Sequence, residues 1–166
     1  MADFKTLDDL PADLTGKVAL VRVDLNLPMK DGSATDVTRV EAAKPTILEL
    51  TEKGAKVLLL AHFGRPKGQR NSTMSTSFVQ GDVEKVIGKE IMFIPEVMGP
   101  VVEQSIGILR AGDIGLLENV RFWPGEESND TDFAKGIAAH GDFYVNDAFS
   151  AAHRANASTE GLARLL

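Results

Sequence analysis

The sequence alternates short, almost wholly apolar runs with longer segments in which apolar residues recur every three or four positions. Residues 18–23 read VALVRV, an apolar run broken by one arginine, which predicts a strand buried on both faces of a parallel sheet. A turn-rich segment follows it. Thr38-Arg39-Val40-Glu41 has the capping-box pattern, and Val40, Ala43, Ile47 and Leu50 then repeat at helical spacing up to Gly54, with Pro45 predicting a kink. KVLLLA at 56–61 predicts a second strand, and Phe78, Val79, Val83, Val86 and Ile87 mark a helix that stops at Gly88. A strand at 91–94, a helix from Pro100 to about 109, a strand at 114–117, a helix over 133–140 and a strand at 143–145 continue the alternation. Another helix begins with Leu162, Leu165 and Leu166. This order predicts a doubly wound, Rossmann-like α/β fold: a parallel sheet with right-handed crossovers and helices on both faces, in three layers.

Composition narrows the field. At 166 residues, 43% hydrophobic and 25% charged, the chain has the size and apolar content of one globular domain, and a second full domain is not expected within it. A net charge of −6 argues against nucleic acid or an anionic membrane as the main partner, so any anion site must be local. With no cysteine, disulfides and thiolate metal sites are excluded, which fits a reducing compartment. No apolar run approaches the roughly 18 residues of a membrane span, and Met1-Ala2-Asp3-Phe4-Lys5 does not resemble a signal peptide. A cytoplasmic location is expected.

Open α/β sheets bind ligands beyond the carboxyl ends of their strands. Asp24 and Asn26 follow the first predicted strand, and Arg39 opens the helix beyond. His62 and Arg65 follow the second strand, Glu118 and Arg121 the fourth, and Asn146, Asp147, His153 and Arg154 the last. Four of the eight arginines thus fall on one edge of the sheet, the pattern of a small anion pocket in an acidic protein. Each residue also has a structural reading. A strand-end arginine can serve an ion pair, a histidine a loop hydrogen bond, and Glu118 or Asp147 can satisfy loop amides or those arginines. His140 needs only a helix C-terminus to explain it, and Arg22, inside a strand, is expected to form a buried or half-buried pair with a carboxylate. Gly64-Arg65-Pro66-Lys67-Gly68 reads as a turn whose basic residues also suit phosphate. Walker-type, dinucleotide, H-E-x-x-H and nucleophile-elbow motifs are all absent from the sequence.

The strings VRVDLNLPMKDG (21–32), TDVTRVEAAKPTI (35–47), LLLAHFGRPKG (58–68), LLENVRFWPGEE (116–127) and YVNDAFSAAHRANAST (144–159) resemble, in order, successive motifs of the phosphoglycerate kinase family. The resemblance covers nearly the whole chain and implies its amino-terminal, substrate-binding domain. It implies that Asp24 and Asn26 bind the substrate's hydroxyl and neighbouring polar atoms. It also implies that His62, Arg65, Arg121 and Arg154 cradle 3-phosphoglycerate or 1,3-bisphosphoglycerate, and that Arg39 is catalytic, assisting the phosphoryl group in transfer. Mg-ATP or Mg-ADP would bind to a carboxy-terminal nucleotide domain, the partner of this one in a monomeric complete enzyme, with no cofactor held on these 166 residues and no activity expected from them alone. Ser150 and Asn156 depart from the family pattern, where glycine and histidine are frequent, and 69–80 matches weakly. Two other readings stand beside this one. A stand-alone anion-binding module could keep the fold for another purpose. A phosphatase of the haloacid dehalogenase type would use Asp24 as nucleophile, but Asn26 cannot transfer the proton that such an enzyme needs from a second aspartate.

Overall fold

In the computed structural model, residues 10–148 and 156–166 are described. Five strands form a parallel sheet: β1 (Val18–Arg22), β4 (Lys56–Leu60), β5 (Ile91–Ile94), β6 (Ile114–Leu117) and β7 (Phe143–Asn146), in the order β5-β6-β4-β1-β7. The apolar runs alternate faces with period two, and both faces are covered. Ala19, Val21, Val57, Leu59 and Leu116 pack with Val40, Ala43, Ile47 and Leu50 of α1 (Thr38–Glu52) and Val83 and Ile87 of α2 (Gln80–Ile87). Val18, Leu20, Leu58, Leu60 and Leu117 pack with Val102 of α3 (Pro100–Ile108) and with Phe133, Ala134 and Ile137 of α5 (Thr131–Ala138). The expected three-layer architecture is therefore present, and it explains why the strands read as continuous apolar runs.

Local chemistry departs from expectation in several places. Thr38 is not a cap: the side chain of Asp36 accepts both the Thr38 amide (2.9 Å) and its hydroxyl (2.6 Å), so Thr38 becomes the first helical residue and the capping box does not form. Helix α1 then continues across Pro45 to Glu52. The turn-rich segment contains a small hairpin of β2 (Met29–Lys30) and β3 (Ser33–Ala34), turning at Asp31 (φ 54°) and Gly32 (φ 80°), the left-handed pair that a two-residue hairpin loop requires. A short helix, α4 (Pro124–Glu127), precedes α5, which begins two residues earlier than its apolar pattern because Asp130 caps it by accepting the Phe133 amide. The closing helix has a π-helical turn, Ala157–Gly161, leading into α6 (Leu162–Leu165).

Candidate functional site

Register places the candidate side chains on one level. Arg22 pairs with Leu60 across β1 and β4, so Asp24 and His62, each two residues on, leave the sheet side by side. Arg22 also pairs with Asn146 of β7, while Val120, beyond β6, donates its amide to Ala61 O at 3.1 Å. All these loops therefore open from the carboxyl edge, and β1 lies between strands that the chain reaches in opposite directions, the usual location of a ligand crevice in such sheets.

Asp24, Asn26 and Arg39 form one hydrogen-bonded set. Arg39 Nη1 donates to Asn26 O at 2.7 Å and lies 3.3 Å from Asp24 Oδ1, which also accepts the Asn26 amide at 3.2 Å. Both bonds of the guanidinium use Nη1, and half of the side chain remains exposed. Asn26 in turn accepts the Gly64 amide on Oδ1 at 2.9 Å, which ties this set to the loop carrying His62 and Arg65. Gly64 has φ +68°, and a Cβ there would stand 3.1 Å from Met74 Sδ, so both conformation and space favour glycine. Arg65 is exposed at the loop tip.

The far side of that loop is held by a residue that the strand-end reasoning did not single out. Asn119 is fully buried, donates from Nδ2 to Phe63 O (2.6 Å) and Met74 O (2.8 Å), and accepts the Arg121 amide at 3.0 Å. Gly68 N donates to Arg121 O at 3.0 Å, so the 62–68 loop and the 119–122 turn form one unit. Glu118 satisfies the Ser75 hydroxyl and the Thr76 and Asn119 amides, as one of its two structural readings held, and it bonds no arginine through these contacts. The signal for Asn119 was its place in ENVRF, a polar pair set between apolar residues directly after a strand. Arg121 is buried, its Nε 4.0 Å from Glu127 Oε1.

Arg22 is wholly buried, as expected, but its direct partner is not a carboxylate. Nη1 donates to Val23 O (2.7 Å), Nε to Ser158 Oγ (2.8 Å), and Nη2 contacts His62 Nδ1 (2.8 Å). The carboxylate, Glu126, is reached through Ser158, whose hydroxyl and amide both donate to it. A hydroxyl relay thus stands where an ion pair was expected, with Ser158 Oγ bonded to both the guanidinium and Glu126. Burial pushes Arg22 below its ordinary pKa, and the charge of Glu126 opposes that.

His140 has a specific partner rather than only a helix end: its Nε2 accepts the Gly99 amide at 3.0 Å, and burial pushes its pKa down. Asp147 is half buried; burial raises its pKa and the neighbouring Thr46 side chain opposes that, and among the described residues its Oδ2 has no hydrogen-bond partner. Asn156 caps the 157–161 turn reciprocally with Thr159. His153, Arg154 and Ser150 lie outside the described residues. The six candidates among the described residues, Asp24, Asn26, Arg39, His62, Arg65 and Arg121, therefore meet at one edge.

The phosphoglycerate kinase family profile matches residues 7–166. This chain belongs to the phosphoglycerate kinase family. It is 61% identical over its whole length to a phosphoglycerate kinase of Sphingopyxis alaskensis and 58% identical to one of Rhizobium johnstonii, covering 42% and 41% of those proteins. Solved phosphoglycerate kinase structures from Coxiella burnetii and Pyrococcus horikoshii superpose on 96% of the chain with TM-scores of 0.82 and 0.83, at 36% and 33% identity. The chain spans about two fifths of the length of the curated phosphoglycerate kinases that it matches. Among the described residues no helix is long and apolar enough to cross a membrane, and no group of three or more histidine or carboxylate side chains could hold a metal ion.

Proposed function

We propose that this chain forms the 3-phosphoglycerate-binding part of a phosphoglycerate kinase, which transfers a phosphoryl group reversibly between 1,3-bisphosphoglycerate and ADP. The observation that carries the reading is the bond from the Gly64 amide to Asn26 Oδ1. It joins the Asp24–Arg39 pair to the His62–Arg65 loop, so that one edge of the sheet presents several cationic or N–H donors beside the Asp24 carboxylate. A phosphate monoester with a carboxylate and a hydroxyl matches that edge. Arg65, Arg121 and Arg154 supply guanidinium forks for the anionic ends, and Asn26 keeps its Nδ2 donors for the ligand because its oxygen is already engaged.

In this reaction the substrate carboxylate attacks the terminal phosphoryl group of ATP, and the acyl phosphate returns it to ADP in reverse. A carboxylate is ionised at neutral pH, so no protein base is required. What the chain supplies is position and neutralisation of spread negative charge. Arg39 sits in the first turn of a helix, with Nη1 held by Asp24 and Asn26 and half of its side chain exposed. That arrangement suits a group meant to meet charge as it develops on the phosphoryl group. Magnesium, which would bind with the nucleotide outside these residues, would supply further neutralisation.

Kinetics of full-length variants test the division of labour. Arg39→Ala should lower kcat by roughly 10² or more with a smaller change in KM, whereas Arg65→Ala should chiefly raise KM for 3-phosphoglycerate. If Arg39→Ala kept its kcat and raised only KM, Arg39 would belong with the ligand anchors and the catalytic assignment would fall.

A further inference from the structure

His62 enters the cradle with one side of its ring already committed. Nδ1 lies 2.8 Å from Arg22 Nη2, and the residue is only 8% exposed. A guanidinium offers N–H donors, accepts nothing and does not deprotonate in the working range, so Nδ1 must present its lone pair. Arg22 cannot swing away to relieve that demand. Its other two nitrogens are fixed by Val23 O and Ser158 Oγ, and Ser158 is fixed in turn by Glu126.

We propose that Arg22 is a positioning residue that locks His62 as a neutral ring with its proton on Nε2, so that this histidine meets an anionic ligand as an N–H donor and not as a cation. What the Nε2–H meets rests on the substrate reading above; the lock is a property of the ligand-free chain. Protonating Nδ1 would set two N–H groups head to head at the present 2.8 Å and place a second positive charge beside Arg22. Among the described residues, the ionisable groups acting on Arg22 are Glu126, Tyr144, Arg121 and Asp24. Arg121 opposes any further positive charge. The two carboxylates favour it, but Glu126 is engaged by Ser158 and Asp24 is paired with Arg39. Tyr144 is neutral, its hydroxyl donating to Ser158 O at 2.7 Å and its pKa pushed well above that of an ordinary tyrosine by burial. With the lock in place, the cradle's positive charge does not change through His62 as the pH crosses the ordinary imidazole range.

Nitrogen-15 NMR on the full chain, labelled at histidine and titrated from about pH 8 to 5 without ligand, reads the lock directly. His62→Gln identifies its signals among the three histidines. The expected result is an unprotonated Nδ1 and a protonated Nε2, persisting to about one unit or more below the ordinary midpoint near 6.5. In Arg22→Gln, whose side-chain oxygen can accept from a protonated Nδ1, the midpoint should rise by about one unit or more. An unchanged midpoint in folded Arg22→Gln overturns the proposal. If that variant does not fold, the unaltered chain decides alone: a midpoint at or above the ordinary value overturns the lock, and a low one upholds it. Added 3-phosphoglycerate separates the two claims. A low midpoint with no response of Nε2 to the ligand upholds the lock and overturns the substrate reading; an ordinary midpoint with a clear response does the reverse.

Discussion

Ser158→Ala is the sharpest test of the buried network, because it removes one oxygen atom and almost no volume. Ser158 is fully buried, and its hydroxyl accepts Arg22 Nε at 2.8 Å while donating to Glu126 Oε2. Alanine leaves one guanidinium N–H and one carboxylate oxygen without that partner inside the protein. Each such loss costs about 1–3 kcal/mol, and more where the group is charged. Neither ion is wholly abandoned. Arg22 keeps Val23 O and His62, and Glu126 keeps the Ser158 amide, which the substitution does not touch. The lower part of the range therefore applies, and we expect a loss of about 3 kcal/mol, a large share of the roughly 5–15 kcal/mol that stabilises a domain. Urea unfolding should show a lower midpoint with an unchanged slope. Glu126→Gln alone should also destabilise, and the double variant should cost less than the sum by about 1 kcal/mol or more, since both changes break one chain of bonds. A loss below about 1 kcal/mol for Ser158→Ala, with additive behaviour in the double variant, would mean that the two buried ions do not depend on this hydroxyl.

Two further perturbations probe the fold around the site. The folded pKa of His140 is depressed because burial disfavours its charge, and Nε2 can accept the Gly99 amide only while unprotonated. Its contribution to stability is therefore complete above the unfolded value near 6.5 and is lost as pH falls through the folded value; urea midpoints measured across that window should fall toward acid, and His140→Gln should flatten the fall. Gly64→Ala forces a side chain into a φ of +68° against Met74, and should lower thermal stability by about 1–2 kcal/mol and weaken 3-phosphoglycerate binding, because the amide it displaces is the one that Asn26 holds. Unchanged melting and binding would show that the loop does not need this turn.

The layered fold was legible because buried parallel strands leave unmistakable apolar runs, as in VALVR and KVLLL, and because Gly54 and Gly88 end their helices where chain direction must change. The carboxyl-edge cluster was legible for the same reason: once strand ends are known, the residues beyond them are the ones a ligand can meet. What escaped were interactions between distant polar residues. Thr38 had the pattern of a cap, yet Asp36 reaches its amide first. Asn119 staples a loop more than fifty positions earlier, and Ser158 bonds an arginine 136 positions earlier. No local pattern carries such partners; they exist only after the sheet has brought β4 beside β6 and β1 beside β7. The Asp31-Gly32 turn, by contrast, was written in the sequence as an Asp-Gly pair and could have been found there.

The central claim is that the edge formed by Asp24, Asn26, Arg39, His62, Arg65 and Arg121 binds 3-phosphoglycerate, and calorimetric titration of the folded chain with that compound tests it most directly. Binding should give measurable heat at millimolar ligand and low ionic strength, and its affinity should weaken as salt is added and fall about tenfold or more in Arg65→Ala, the loss expected for one charge-assisted contact. No heat under those conditions from a chain shown to be folded, or binding indifferent to both salt and Arg65, would contradict the account.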